Sequence, residues 1–319
     1  MAIYLKLKLK HTIYLFACLS LMASCNTGIE RTKRITPTRA DRLIMKESAE
    51  EALADSVHPV PLSQWMPGKE FVVTNSRASL LYDIVDRNGR RSHQDSIADM
   101  TVRYIGTEEA VAPDGRSISI VKFEIPALDR IMTYTVRKEP SATESMVWCD
   151  FPMLIDMDMV SEFSTILTGR KLWLRTALWY DKEMNPIKGR KFIPVTINKV
   201  KRGNAAFPLF ICFDDGQSES WLPMNMPDGK GNPGSRSFAS MFYLTDPKLR
   251  FPEISPEVWE LICFGQVQPG MTKQECKLAL GNPDQVETGH DWNILADIWK
   301  YSDGKYLFFI DDKLVDNKR

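Results

Sequence analysis

The stretch GMTKQECKLALGNPD, residues 270–284, encodes a short helix that is closed at both ends. Thr272 followed three residues later by Glu275 predicts a capping box, in which each side chain accepts a hydrogen bond from the other residue's backbone N–H. Gly281 is the residue type favoured at a left-handed C-terminal cap, and Pro283 prevents the helix from continuing. This amount of punctuation predicts a compact unit with a tight turn on each side of the helix.

A second helix precedes this one, and strands follow it. In ISPEVWELICFG, Ser255 is placed as the N-cap and Pro256 as the first helical residue, where its missing N–H costs nothing. QPG then reverses the chain at Gly270. Farther on, ILADIWKYS, a turn at DGK and YLFFIDDKLV predict a β-hairpin. Residues 252–319 are therefore predicted to fold as two helices followed by a hairpin or small sheet.

This order of elements resembles the SmpA/BamE-like (OmlA) domain of bacterial outer-membrane lipoproteins. The residues that carry the resemblance are Gly270, Met271, Thr272, Lys273, Leu280, Gly281, Pro283, Asp284, Trp299, Tyr301, Phe309 and Leu314. A typical family member is this one domain on a lipid anchor, whereas here the domain ends a longer chain. The resemblance implies a protein that binds other subunits of the outer-membrane β-barrel assembly machinery.

The segment NPDQVETGHDWN is the part of this unit that the fold needs least. It is predicted as an exposed loop, and Asp284, Gln285, His290 and Trp292 are its candidate contact residues. The alternative is a solvated loop without a partner.

The N-terminus predicts export. Lys6, Lys8 and Lys10 precede an apolar run from Thr12 to Ser24, which is too short to cross a hydrocarbon core of about 30 Å. This pattern is typical of a secretory signal. LMASC also resembles a lipobox, which implies cleavage between Ser24 and Cys25, diacylglycerol on the Cys25 sulfur, and a further acyl chain such as palmitate on the new amine. The alternative is an ordinary signal peptide with a chance cysteine.

Residues 1–24 are thus predicted as a lipoprotein signal peptide and residues 25–63 as a lipid-anchored tether with a short helix within residues 41–57. Asn26 and Thr27 after the anchor, by similarity to known sorting patterns, imply the periplasmic face of the outer membrane. The formal net charge is zero for the whole chain and −3 without residues 1–24, so nucleic acid is not expected as a partner.

Residues 64–251 are rich in short β-branched and aromatic runs separated by turn residues. They fall into two β-rich units, residues 64–165 and 166–251, in which PGKEFVV from Pro67 parallels TGRKLWL from Thr168 at an offset of 101 residues. The predicted fold class is therefore α+β, with two small-barrel or SH3-like units before the last domain. The units are interpreted as a duplication, with chance recurrence of strands as the alternative. LIDMDMVSEFSTILTG, residues 154–169, predicts a helix between them.

No catalytic motif or metal-ligand spacing is present, so a non-enzymatic protein without cofactor or metal is expected. A glycan- or peptidoglycan-binding module is the alternative, because six aromatic residues of the middle units line either a ligand groove or the core: Trp148, Trp173, Trp179, Trp221, Phe242 and Tyr243. A hydrolase is a third hypothesis, with Asp156/Asp158 and Asp214/Asp215 as acid–base pairs or, alternatively, solvated turn acids. The cysteines of the mature body are interpreted as two disulfides or as buried thiols: Cys149, Cys212, Cys263 and Cys276.

Overall fold

The computed structural model describes residues 49–86, 88–91, 96–229, 236–291 and 294–318. These residues form two compact units. The larger unit runs to Ser255 and also includes Cys263–Gly265, and the smaller unit consists of Pro256–Ile262 and the residues from Gln266 onward. The β-rich α+β class predicted from the sequence is confirmed.

The first sheet of the larger unit is antiparallel, with strand order β2-β5-β4-β3-β1-β6. Its strands are β1 Glu70–Val73, β2 Asp83–Val85, β3 Thr101–Val111, β4 Ser117–Ile125, β5 Arg130–Val136 and β6 Leu154–Asp156. Helix α1 (Ala49–Asp55) precedes it, and helix α2 (Pro140–Glu144) lies between β5 and β6. Trp65, Phe71, Phe123 and Phe151 fill its core, with ring centroids 4.7–6.4 Å apart.

Helix α3 (Met157–Leu167) connects the first sheet to the second. The second sheet has the order β13-β7-β10-β11-β12-β8-β9. Its strands are β7 Lys171–Leu174, β8 Leu178–Tyr180, β9 Pro186–Lys188, β10 Pro194–Arg202, β11 Leu209–Asp214, β12 Glu219–Met224 and β13 Phe242–Tyr243, with helix α4 (Phe238–Met241) before the last one. Leu172, Ile197, Phe213 and Leu222 form its buried face.

The two sheets repeat one connection plan. Their shared orders are β6-β1-β3-β4-β5-β2 and β13-β7-β10-β11-β12-β8, and β9 is an addition to the second. The predicted offset of 101 residues holds for Glu70–Val73 and Lys171–Leu174. Each sheet also acquires its extra edge strand, β6 or β13, after a helical segment. The parallel between the two β-rich units that was predicted from the sequence is therefore confirmed at the level of strand order.

Backbone hydrogen bonds extend the repeat to single residues. Gly68 N–H donates to the Tyr104 carbonyl and Gly169 N–H to the Ile197 carbonyl, each at 2.8 Å, and both glycines have positive φ, 94° and 81°. The register of β3 then shifts between Tyr104 and Gly106, and that of β10 shifts at the corresponding place after Ile197. A bulge at the same point in both sheets gives the two long strands the same bend.

One predicted boundary within the larger unit is wrong. Leu154–Asp156 belong to strand β6, so the helix predicted over residues 154–169 covers only Met157–Leu167. Near the end of the larger unit, Phe238–Met241 form a helical turn capped by Ser237, and only Phe242–Tyr243 pair with β7.

The smaller unit contains helix α5 (Pro256–Cys263, whose last residue falls in the larger unit) and helix α6 (Lys273–Leu280). An antiparallel meander follows, with strands β14 Gln285–Asp291, β15 Ile294–Lys300, β16 Tyr306–Ile310 and β17 Lys313–Lys318. YLFFIDDKLV is therefore not one hairpin arm as predicted, because Asp311 (φ 53°) turns the chain between β16 and β17.

The predicted capping box of α6 is confirmed, and the predicted C-cap is confirmed in part. Thr272 Oγ1 accepts the Glu275 N–H at 3.2 Å, and Glu275 Oε2 accepts the Thr272 N–H at 2.6 Å. Gly281 ends the helix with the predicted positive φ, 89°, but its ψ of −172° lies outside the left-handed helical region. Gly270, at φ 93°, donates its N–H to the Leu314 carbonyl at 2.8 Å, so the predicted reversal also fixes the start of α6 against the sheet.

Candidate functional site

The predicted lipidation site lies outside the described residues. The same holds for Ser24, Cys25 and Trp292, and for the side chain of His290. None of the helices in the described part of the chain has the length and apolar character needed to cross a membrane.

The predicted contact loop is mostly a strand. Gln285–Asp291 form β14, and they pair residue by residue with Ile294–Lys300 of β15. Asp284, at its start, donates its N–H to the Lys300 carbonyl and accepts the Ser302 N–H on Oδ2 at 2.6 Å. The prediction of a loop was wrong because apolar and polar residues alternate only weakly in this segment. The segment forms a strand because it pairs with β15.

Strand β14 is the open edge of its sheet. At the other edge, the Gly270 and Leu314 amides make 2.8 Å bonds with Leu314 and Met271 carbonyls, and Lys273 N–H donates to the Asp312 carbonyl. Residues 270–273 therefore cover the start of β17. Among the described residues, β14 pairs only with β15. Val286 on this strand is 39% exposed. An edge strand of this kind is a template for pairing with another chain.

Asp156 and Asp158 serve the fold. Asp156 is 1% exposed, so its assignment as a solvated turn acid was wrong. Its Oδ1 accepts hydrogen bonds from the Lys69 ammonium at 2.9 Å and from the Asp158 N–H at 3.0 Å, which caps helix α3. Burial raises the pKa of Asp156, and Lys69 opposes that effect. Lys69 Nζ also contacts Asp158 at 2.5 Å. One lysine thus holds both carboxylates.

Asp214 is the last residue of β11, and Asp215 follows it in the turn. Asp214 Oδ1 accepts the Gly216 N–H at 2.7 Å, and Asp215 Oδ1 accepts two turn N–H groups at 3.0 Å. Asp215 Oδ2 pairs with Arg190 at 3.0 Å. Burial alone would raise the pKa of Asp215, but the turn N–H groups and Arg190 together have the larger effect, so the pKa lies below its ordinary value. The hydrogen bonds and the ion pair of Asp214 and Asp215 therefore stabilise this turn.

The cysteines in the described part of the chain form no disulfide. Cys212, Cys263 and Cys276 are buried, and Cys149 is half-buried. Burial raises the pKa of all three buried thiols, that of Cys276 to about 12. The structure therefore fits the buried-thiol alternative, with little thiolate for reaction at neutral pH.

The six aromatic residues singled out in the sequence divide into two groups. Trp148, Trp179 and Phe242 are buried in the core. The other three are only half-buried, and each lies beneath a cation. Lys171 Nζ is 5.8 Å from the Trp173 ring, Lys201 Nζ is 4.0 Å from the Trp221 ring, and Arg175 Cζ is 4.3 Å from the Tyr243 ring.

These aromatic–cation pairs share one side of the second sheet. Leu172 and Leu174 are buried, so strand alternation places Lys171 and Trp173 on the opposite, solvent side. Across the sheet, the register aligns Trp221 with Tyr180 and with Cys212, and Cys212 with Lys199. We call this side the outer face; it is formed by Lys171, Trp173, Arg175, Tyr180, Lys199, Lys201, Trp221 and Tyr243.

Arg236 lies beside the outer face and is the least expected residue of the site. It is 9% exposed, and its Nε–H donates to the Pro223 carbonyl at 2.6 Å. Its Cζ is 5.7 Å from both the Tyr180 and Phe207 rings. Its buried Nη2 has no hydrogen-bond partner among the described residues. Burial lowers the pKa of Arg236, with Tyr180 opposing that effect.

Sequence reasoning missed the cations of this face. Comparing the two repeats at equal register could have found Lys171 and Lys201, because the first repeat has glutamates there. No sequence signal marks Arg236.

A scan of protein-family models, a search of curated proteins and a search of solved structures each found no match to this chain.

Proposed function

We propose that the protein is a non-enzymatic envelope protein, lipid-anchored through Cys25 to the outer membrane with its body in the periplasm, and that its smaller unit binds another envelope protein. The open edge of β14 carries this proposal. The likeness of the two-helix and meander unit to the SmpA/BamE-like domain supports a partner in β-barrel assembly. We also propose that each of the two repeated sheets forms a small, SH3-like barrel.

The contact uses backbone pairing at β14. An extended segment of the partner adds a strand beside Gln285–Asp291, so that main-chain hydrogen bonds supply affinity and alternate side chains supply specificity. Seven residues in extended conformation offer an edge of about 24 Å at roughly 3.4 Å per residue. The glutamate of this strand is already engaged, since Lys300 Nζ lies 2.5 Å from Glu287 Oε1.

The lipid anchor concentrates the protein at its partner. Three acyl chains exceed the two membrane signals needed for stable attachment. Attachment to the same membrane raises the effective concentration of one protein at the other, which lets a modest edge contact persist.

Site-specific photocrosslinking in the native envelope tests the proposal. A photoreactive residue at Thr288 on β14 should capture one envelope protein, and the same residue at Lys313, on the covered edge of the sheet, should not. Cys25→Ala should reduce the yield at Thr288. Equal capture from both edges, or capture from neither, would contradict the proposal.

A further inference from the structure

The outer face of the second sheet differs in charge from its counterpart in the first sheet. At equal register, Glu70 corresponds to Lys171, and Glu108 corresponds to Lys201. Gly106, just after the bulge, corresponds to a third lysine, Lys199. The shared backbone does not require these lysines, because the first sheet folds in the same way with acids and glycine.

The aromatic residues of the face are also absent from the first sheet. Val72 occupies the position of Trp173, and Thr133 occupies that of Trp221. Two large side chains have therefore been placed at the surface of the second repeat, where the fold accepts smaller ones. Half-exposed tryptophans next to cations form the kind of surface that binds a ligand with both apolar and charged parts.

The two glutamates of the first sheet that correspond to Lys171 and Lys201 are paired with cations, whereas the lysines have no such counterpart among the described residues. In the first sheet Arg103 pairs with Glu70 at 3.0 Å, and Lys122 pairs with Glu108. In the second, the counterparts of these two cations are Thr196 and Cys212. The acids remaining on the face are Asp214 and Glu219, and they interact with Gly216 N–H at 2.7 Å and Asn198 Nδ2 at 2.7 Å. The lysines of the face therefore keep positive charge available for an anion.

Arg236 supplies a donor that points to an oxyanion. A buried guanidinium without a carboxylate partner is costly, because its charge has lost water and its Nη2 makes no hydrogen bond among the described residues. A carboxylate or phosphate oxygen would satisfy that donor through a charge-assisted bond. The Tyr180 and Phe207 rings both lie 5.7 Å from the guanidinium carbon.

We propose that the outer face of the second sheet, with Arg236 and Lys201 as its anion-binding residues, binds an acidic glycan. The sugar rings lie against Trp221 and Tyr180, and a carboxylate or phosphate group of the glycan binds the two cations. Single-stranded nucleic acid uses similar basic and aromatic surfaces. The secretory signal predicted from residues 1–24 favours the glycan, because an exported protein meets its partner outside the cytoplasm. This choice rests on the proposed function.

Isothermal titration calorimetry on the full lipidated protein in neutral detergent micelles tests this site. The probes are a hexamer of galacturonic acid, a phosphomannose oligosaccharide, neutral maltohexaose, a single-stranded oligonucleotide and vesicles containing phosphatidylglycerol. The galacturonate or the phosphomannose probe should bind, with an affinity that falls as salt rises, and maltohexaose should bind at least tenfold more weakly. Which of the two acidic probes binds better distinguishes carboxylate from phosphate as the group recognised.

Three variants localise the binding. Lys201→Glu and Arg236→Met should each weaken the acidic glycan about tenfold or more, which is the usual effect of losing one charged contact. Arg116→Glu, on an exposed residue of the first sheet's β3–β4 hairpin, makes the same change in net charge as Lys201→Glu and should leave affinity within twofold. Lys201 is exposed, so Lys201→Glu remains informative if Arg236→Met does not fold.

Four outcomes would overturn the proposal. They are failure of the wild-type protein to bind either acidic glycan, equal binding of maltohexaose, equal loss in Lys201→Glu and Arg116→Glu, and tighter binding of the oligonucleotide or the vesicles than of both acidic glycans. None of these measurements depends on β14, so the proposed edge contact can fail while this site stands.

Discussion

Replacing Lys69 with methionine tests how the first sheet is joined to helix α3. Lys69 lies just before β1, and its side chain is almost fully buried against Asp156, the N-cap of α3. The 2.9 Å bond between Lys69 Nζ and Asp156 Oδ1 is the only ion pair that Asp156 makes among the described residues. Methionine keeps the length and apolar stem of the side chain but removes the charge. The variant therefore leaves the Asp156 carboxylate buried and uncompensated.

The expected loss is about 3–5 kcal/mol in the free energy of unfolding, the usual cost of breaking one side of a buried pair. That is a large share of the roughly 5–15 kcal/mol that stabilises a natural domain. Asp156 keeps its bonds from the Asp158 and Met159 N–H groups, at 3.0 and 3.4 Å, so the helix cap itself survives.

The loss should depend on pH. Burial already raises the pKa of Asp156 in the folded protein, and removal of Lys69 raises it further. The folded variant then binds more protons than the unfolded chain between about pH 4, the pKa of an unfolded aspartate, and the raised pKa of Asp156. Stability of the variant therefore falls as pH rises through this window. The deficit relative to wild type should be small near pH 4.5 and full near pH 7.5.

Urea denaturation followed by circular dichroism at the two pH values measures both effects. Lys182→Met, at a lysine that is 82% exposed, is the matched control and should change stability by no more than about 0.5 kcal/mol. Adding Asp156→Asn to Lys69→Met should recover most of the loss, since no buried charge remains. A deficit below about 1 kcal/mol at pH 7.5, or one that does not change with pH, would refute the reasoning.

Three further predictions concern the smaller unit and the thiols. Gly281→Val should lower the free energy of unfolding by about 1 kcal/mol or more, because valine resists φ 89°. Gly289→Val should cost less, because an added Cβ would meet only the Ala296 carbonyl oxygen at 3.9 Å, and equal melting temperatures of the two variants would contradict this reasoning. Thr272→Ala should lower the free energy of unfolding by about 1 kcal/mol through loss of the cap. Thermal melts of the full chain measure this loss, and an unchanged melting temperature would contradict the prediction. At pH 8, iodoacetamide should alkylate the half-buried Cys149 of the native protein before Cys276, whose pKa is about 12. Mass spectrometry measures the order of alkylation, and faster reaction of Cys276 would contradict the prediction.

The features that follow from local rules were predictable from sequence. The capping box at Thr272 and the turn at Gly270 depend on neighbouring residues, so the pattern alone was sufficient to place them. The 101-residue offset between Pro67 and Thr168 was visible because the two strand starts share length, turn glycine and apolar spacing. These features decide the fold class and the start of each repeat.

The remaining features depend on partners that are distant in sequence. Gln285–Asp291 become a strand because β15 pairs with them, and Leu154–Asp156 become β6 because β1 lies beside them. Arg236 is part of the candidate site through Tyr180 and Phe207, which are far from it along the chain. A single sequence gives no measure of such proximity. The lysines of the outer face are an intermediate case, because a comparison of the two repeats within the sequence would have identified them.

The repeat also separates what the backbone requires from what the surface can change. Asp99 and Phe192 occupy the same place before the long strand of each sheet, both with positive φ, 61° and 58°, and each donates its N–H to the last residue of the first strand. An aspartate and a phenylalanine have little in common except that position, so the backbone hydrogen bond determines the conformation there. At exposed positions of the long strands, such as Glu108 and Lys201, the two sheets instead differ in charge. The two sheets thus keep one strand plan while their exposed sides differ in charge, which is the pattern that different binding partners for the two sheets would produce.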